Sequence, residues 1–308
     1  MNPLRALVLV LIAGFVVLWL RSPSRPKTAF AYLRAVALAS AASLVVAPFL
    51  WLVAAAFKDR EVLNEYVFFP PLPWTEKTMN LENYRRLFAG DPSVQGKVYF
   101  WQYVLNSLFV TTTITVLQMV FCSAAGFALA KYDFRGKKPL MTFMLGSMMI
   151  PPVLLLAPLY EMIVELGLVD TYSSLFLPYL AVPYGIFLFR QSMLSIPNEM
   201  LDAGRIDGAS EFYIYLRLVM PLVRPMCAAF CLVTFLGNWN AFFAPSIFLH
   251  TQDKLTLPVI LNLYLGLYRA DYGVFLAGTL IAILPPAILF FALEKEFIGG
   301  LTSGAVKG

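Results

Sequence analysis

Charge is what this sequence has least of. Only 13% of its 308 residues are Asp, Glu, Lys or Arg, while 60% are hydrophobic; an average soluble domain carries about 25% charged residues. Histidine is scarcer still, with His250 alone, and the three cysteines are Cys122, Cys227 and Cys231. Cys227 and Cys231 lie one helical turn apart, but a metal site needs more ligands than these. The cysteines read instead as small buried hydrophobes. No nucleophile stands in a pattern with a base, which argues against an enzyme working through its own side chains. A G-x-x-x-x-G-K-[ST] phosphate loop is also missing, since Gly136-Lys137-Lys138 lacks both the upstream glycine and the hydroxyl residue. The net charge is +5, yet there is no basic stripe interleaved with aromatics, so no nucleic-acid partner is expected.

The missing charges are concentrated in runs. Ala35–Phe57, Val98–Ala130, Pro139–Tyr160, Thr171–Phe189, Pro225–Gln252 and Tyr272–Leu293 contain no Asp, Glu, Lys or Arg, and each is at least 19 residues long. About 20 apolar residues cross a bilayer as a helix. Six such runs in succession predict an all-α polytopic membrane protein with a six-span core. Ala6–Leu20 is a further apolar stretch, without a small-residue cleavage site and followed by Arg21, Arg25 and Lys27. It reads as an uncleaved seventh span with its N-terminus outside, Arg5 snorkelling to the surface. The division expected is residues 1–30 for this extra span and basic linker, and 31–308 for the main domain.

Lysine and arginine set the orientation. Placing 21–34, 131–138, 190–224 and the C-terminal tail inside collects fourteen basic residues against nine outside, which predicts a cytoplasmic C-terminus. The outer loop 58–97 then carries six basic residues balanced by Asp59, Glu61, Glu65, Glu76, Glu82 and Asp91. Pro70, Pro71 and Pro73 keep part of it extended.

The inner loop 191–224 is too patterned for a simple connector. Pro197 suits the first turn of a helix continuing through Asn198–Ile206. Gly208 supplies a left-handed stop, and Ser210 an N-cap for a second helix through Glu211–Val219 that ends near Pro221. The first helix presents Glu199, Asp202, Arg205 and Asp207; the second carries Phe212, Tyr213, Tyr215, Leu216 and Val219. Two short helices joined at a glycine on the cytoplasmic face suit a docking element. The bland alternative is an interfacial pair that only links two spans.

The string Ile196-Pro197-Asn198-Glu199-Met200-Leu201-Asp202-Ala203-Gly204-Arg205-Ile206-Asp207-Gly208-Ala209-Ser210, followed by Met220-Pro221-Leu222 and Pro225, resembles the EAA loop of bacterial ABC-importer permeases. Asp202, Ala203 and Gly204 take the Glu-Ala-Ala positions, with Asp for Glu and Gly for the second Ala, and Gly208 takes the signature glycine. Asn80-Leu81-Glu82-Asn83-Tyr84 with Leu87-Phe88, Lys131-Tyr132-Asp133-Phe134-Arg135-Gly136, Leu255-Thr256-Leu257-Pro258 and the tail from Gly300 to Gly308 are similar to the carbohydrate-uptake branch, in particular to subunits like the maltose permease G protein. The resemblance runs from Tyr32 to Gly308. It implies a type I ABC-importer transmembrane domain in the bacterial inner membrane. Its implied partners are a second permease subunit in a heterodimer, two ATP-binding-cassette ATPase subunits and an extracytoplasmic sugar-binding protein. ATP and Mg2+ would bind the ATPase subunits, with no cofactor on this chain. The docking residues it implies are Glu199, Asp202, Ala203, Gly204, Arg205, Asp207, Gly208 and Ala209.

Polar residues inside the spans mark a candidate path: Asn238, Trp239 and Asn240 in the fifth core span, Gln118 and Thr111–Thr113 in the second, and Tyr184 in the fourth. An uncharged path of amides, hydroxyls and aromatics suits a neutral sugar, carried by alternating access. The same side chains could equally hold helices together. Other solutes (a peptide, polyamine or phosphate ester) and a non-transporting scaffold that recruits an ATPase are the rival functions.

Overall fold

The structure is a computed structural model that describes residues 25–89, 98–265 and 271–305. The expected span at Ala6–Leu20 and the last three tail residues lie outside these. The chain forms two compact units, Met1–Asn80 and Leu81–Gly308. Among the described residues the elements are helical, with a single isolated bridge between Lys58 and Met79.

In the first unit, α1 (Arg25–Ala56) contains Phe30–Ala56, 27 residues of apolar helix. Its large side chains point outward on every side, Leu44 being 79% exposed, the pattern of a helix solvated by lipid or by other spans. After it the chain is pinned by Lys58, which is 1% exposed and whose ammonium donates to the Tyr66 and Val67 carbonyls. The Asn80 N–H donates to Phe57 O at 2.8 Å and closes this loop.

The second unit opens with α2 (Glu82–Phe88) and α3 (Phe100–Lys131), a 32-residue helix that is the axis of the fold. There follow α4 (Lys137–Ser147), α5 (Pro152–Glu165), α6 (Ser173–Tyr179) and α7 (Pro183–Leu194). Next come α8 (Asn198–Ile206), α9 (Glu211–Leu222), α10 (Arg224–Trp239) and α11 (Phe243–Phe248). The unit closes with α12 (Leu257–Leu263), α13 (Tyr272–Ala282) and α14 (Leu284–Ala305).

The six expected spans appear, but not as six straight helices. Phe30–Ala56, Phe100–Lys131 and Tyr272–Glu296 are continuous; α4 with α5 and α6 with α7 bend by 97° and 47° at short breaks. The fifth uncharged run is also interrupted. α10 leaves α9 at 82° and stops at Trp239, and α11 resumes at Phe243. Proline explains the breaks, because Pro152, Pro183 and Pro225 each stand in the first two positions of the helix that restarts.

α3 packs most extensively on α7 and next on α10. In lipid the hydrophobic effect cannot drive that contact, so close backbone approach and shared hydrogen bonds must. A Cβ added at Gly126 would lie 2.6 Å from Phe189 Cβ and 2.9 Å from the Arg190 nitrogen, so only glycine permits this crossing. Several buried polar groups of α3 find partners, as a dry interior favours. Gln118 Nε2 donates to Tyr179 O at 2.7 Å, Thr115 Oγ1 to Thr111 O at 2.7 Å, and the Ser123 and Tyr215 hydroxyls share a bond of 2.6 Å.

Candidate functional site

The inner loop folds as the sequence predicts, with one shift: Pro197 is the N-cap of α8, outside its first turn. At the other end Gly208 has φ +80°, and the Gly208 N–H donates to Arg205 O and the Ala209 N–H to Gly204 O, both at 3.0 Å. These two bonds are the Schellman closure of a helix, which needs a left-handed residue at this position. Ser210 then caps α9, its hydroxyl accepting from the Tyr213 N–H at 3.3 Å. The middle of α9, Ile214–Val219, winds as a π-helix, a local widening frequent at functional sites.

Behind the helix pair lies one continuous apolar cluster. Leu201 of α8 and Ile214 and Val219 of α9 pack with Phe127, Phe189 and Phe230 from three spans, all nearly fully buried. Gly204 belongs to this inner side. A Cβ there would sit 3.1 Å from Leu218 Cδ1 and 3.4 Å from Ile214 Cγ1. The glycine that replaces an alanine of the motif therefore lets α8 lie close on α9. Two polar ties add to the packing: the Lys131 ammonium donates to Ile196 O and, at 3.1 Å, to Asn198 Oδ1.

The outer side of the pair is charged. Arg205 bridges the glycine turn: its Nη1 lies 2.7 Å from Asp202 Oδ1, its Nε 2.7 Å from Glu211 Oε1 and its Nη2 3.3 Å from Glu211 Oε2. The Tyr132 hydroxyl also donates to Glu211, linking the turn after α3 to α9. The Arg205 guanidinium and the Tyr132 hydroxyl hold the Glu211 carboxyl below its ordinary range, and Glu211 and Asp202 push Arg205 still higher.

Of the eight docking residues named from the motif, Glu199, Asp202, Ala203, Arg205, Asp207 and Gly208 are exposed; Gly204 is buried and Ala209 half-buried. The last two shape the pair from inside. Sequence reasoning did not single out Ile206, 86% exposed, or Phe212, 70% exposed, as apolar knobs of the pair. The signal was present, since Ile206 stands directly before the Asp207-Gly208 stop. Glu211 and Tyr132 were also missed, because their link spans 79 positions.

The path residues separate. Asn238 and Gln118 line one cavity of about 200 Å3, together with Ser107, Thr111, Tyr179 and Thr256. Trp239 is buried elsewhere: its indole N–H donates to Ala282 O at 3.1 Å and its ring stacks on Phe235 at 5.7 Å. Asn240 is exposed and faces a different, largely apolar recess that includes Leu236 and Phe290. Two positions along a helix turn a side chain by about 200°, which is why Asn238 and Asn240 do not share a wall; Trp239 borders the same recess as Asn240. The Tyr184 ring lies tilted against Phe230, centroids 5.7 Å apart, and its hydroxyl lies 3.3 Å from Thr234 Oγ1, outside the cavity lining.

On the opposite side of the spans Asp170 holds a loop together. Its backbone is left-handed, at φ +58°. Its carboxylate accepts from the His250 and Thr251 N–H groups at 2.9 Å, from the Thr251 hydroxyl, and from Lys254 Nζ at 2.9 Å. Burial alone would raise its pKa, but these donors outweigh burial and hold the carboxyl well below the carboxylate range.

Among the described residues, three continuous candidate spans and three bent ones, with a buttressed helix pair in the inner loop, define a polytopic helical membrane protein. The sequence profile described as binding-protein-dependent transport system inner membrane component matches residues 122–294, and the chain belongs to that family. It is 35% identical, over 90% of its length and 96% of the relative's, to the arabinooligosaccharides transport system permease protein AraQ of Halalkalibacterium halodurans. It is 28% identical to the trehalose/maltose transport system permease protein MalG of Thermococcus litoralis, over 85% of this chain and 91% of that one. Among solved structures it resembles a chain of a bacterial ABC transporter involved in the import of the acidic polysaccharide alginate, with TM-score 0.73 at 21% identity, covering 90% and 99% of the two chains. That likeness bears on the fold.

Proposed function

We propose that this chain is one permease subunit of an ATP-driven importer that brings neutral oligosaccharides into the cytoplasm by alternating access. The observation that carries the reading is the inner helix pair. Its acidic and apolar knobs are exposed, while its inner side is continuous with the core of α3, α7 and α10. A push on α8 would therefore reach the spans as rigid displacement, because a close-packed core transmits strain. In this reading Glu199, Asp202, Ala203, Arg205, Asp207 and Gly208, with Ile206 and Phe212, seat an ATP-binding-cassette subunit, and Gly204 and Ala209 support them. ATP and Mg2+ are held by two such subunits. A second permease subunit and an extracytoplasmic binding protein complete the complex, which sits in the inner membrane with this chain's C-terminus inside.

Neutral oligosaccharides are supported from two sides. The relatives named above carry sugars in their names, and the cavity among α3, α6, α10 and α12 is lined by amides and hydroxyls with no charged side chain. The test is reconstitution of this chain with its genomic partners in vesicles, followed by uptake of arabino-, galacto- and gluco-oligosaccharides. ATP-dependent accumulation of one of them is expected. Recruitment of the ATPase without accumulation of any solute would make the chain a scaffold.

A further inference from the structure

Thr256 stands at the N-cap of α12, in extended backbone at φ −89° and ψ 160°, where a threonine normally accepts a hydrogen bond from its own helix. Its hydroxyl does not cap the helix. The N–H groups such a cap would take are not available to it: Pro258 has none, and Val259 donates to the Thr256 carbonyl at 3.1 Å. The Leu257 N–H donates to Ser107 Oγ on α3 at 2.7 Å. Thr256 is 4% exposed, and its Oγ1 has no hydrogen-bond partner among the described residues. A buried hydroxyl in this state costs free energy and calls for an explanation. It borders the cavity that Ser107, Thr111, Gln118, Tyr179 and Asn238 also line.

The hydrogen-bonding capacity left over in that cavity is specific. Gln118 spends an Nε2 hydrogen on Tyr179 O and Asn238 an Nδ2 hydrogen on Thr234 O, which leaves both amide oxygens to accept. Ser107 accepts from Leu257, which leaves its O–H to donate. Thr256 can do both. Donors and acceptors are both on offer, none charged, which matches a molecule whose hydroxyls each donate and accept. An anion would meet too many acceptors, and a cation would find no carboxylate. Size narrows the choice: the cavity of about 200 Å3 is smaller than the roughly 300–1,000 Å3 of drug-sized pockets. The Tyr179 ring and the Val110, Ile114 and Leu175 side chains offer apolar surface to C–H groups.

We infer that this cavity is a binding subsite within the chain itself for a single ring of a neutral sugar, with Thr256 as its unsatisfied anchor. The inference rests on the oligosaccharide reading above and adds where, in this subunit, one ring is held during passage. Its hydrogen bonds matter to transfer, not to capture by the external protein, so they bear on the sugar moved per ATP hydrolysed.

The test uses the assembled complex in vesicles with its binding protein and the arabino-, galacto- and gluco-oligosaccharides as probes. Thr256→Val keeps the shape and removes the hydroxyl. It should lower the sugar-to-ATP ratio about three- to tenfold, the fold-change expected for one neutral hydrogen bond, while the melting temperature of the sugar-free complex does not fall, since the hydroxyl removed has no partner there. Thr256→Ser should restore the ratio, and Ala244→Leu, which fills the cavity from α11, should lower it as Thr256→Val does. A wild-type complex that imports a probe while Thr256→Val and Ala244→Leu leave the ratio unaltered would overturn the subsite alone and make the cavity a packing feature. A wild-type complex that imports none of the probes would remove the oligosaccharide reading, and the subsite with it.

Discussion

Arg205 and Glu211 face each other across the Gly208 turn, Nε to Oε1 at 2.7 Å and Nη2 to Oε2 at 3.3 Å, so that one guanidinium closes the angle between two helices. The pair is solvent-accessible, with 38% and 48% of the side chains exposed, and an ion pair in that setting contributes only about 0–1 kcal/mol. Its value is geometric: it fixes α8 against the start of α9 where the chain reverses.

The pH dependence follows from the sign of the Glu211 shift. Its carboxyl titrates lower when folded than its ordinary 4.5. The tie is therefore fully present above that value and is lost as the pH falls through the lower, folded one. Retention of the ATPase subunit in detergent should be level from pH 8 to pH 5 and decline only below the ordinary carboxylate range. Glu211→Gln should weaken retention across the whole range and flatten the acid decline. An unaltered acid decline in Glu211→Gln would show that another group governs it.

Gly208 makes a stronger demand. A β-branched residue held at φ +80° costs about 1–2 kcal/mol. Gly208→Val should leave the subunit inserted and paired with its sister permease, yet reduce ATPase co-purification and abolish uptake. Gly208→Asn, which tolerates left-handed backbone, should retain most of both. Normal uptake in Gly208→Val would remove the coupling role of the loop.

For Gly204 two small effects oppose each other. Alanine gains about 1 kcal/mol of helix propensity over glycine, while its Cβ would meet Leu218 Cδ1 at 3.1 Å, the end of a side chain able to yield. Gly204→Ala should thus stay within about 1 kcal/mol of wild type in melting of the complex. Gly204→Leu cannot be accommodated and should separate α8 from α9, seen as rapid proteolysis within 197–210.

Asp170 joins its own turn to the 248–254 segment through four donors. Asp170→Ala removes all four acceptor contacts, and protease cleavage between Phe248 and Leu255 should accelerate at least severalfold. The carboxyl titrates below its ordinary 3.8, so the latch is intact above that value and opens only in stronger acid. Protection that is equal in the variant and wild type would mean that Asn106, which donates to Asp253 O at 2.7 Å and Leu255 O at 3.0 Å, holds the loop alone.

Much of this architecture was legible in the sequence because its signals are local. Charge-free runs long enough for a bilayer gave the spans. The order Pro197, Gly208, Ser210 gave the limits of α8 and the start of α9 to within one residue. What the sequence withheld depends on faces and distances. Asn238 and Asn240 looked like a pair, but the helix turns them to different recesses. Thr256 carried no distinguishing mark, since a threonine before Leu257-Pro258 reads as an ordinary cap. Only the folded surroundings, which bury its hydroxyl without a partner, reveal that it is left over. The Gly204 departure from the motif is a fitted contact, which the sequence alone does not show.

The prolines at the restarts have a last consequence, for how the subunit can deform. Pro152, Pro183 and Pro225 each bring no N–H to the break, so fewer amides there need acceptors. The same rings forbid the opposite shape, because straightening would drive each one into the carbonyl a turn earlier. The elbows are therefore set by covalent geometry and cannot serve as springs. A cycle of opening and closing has to move bent rods as whole bodies, sliding over one another at their packed surfaces.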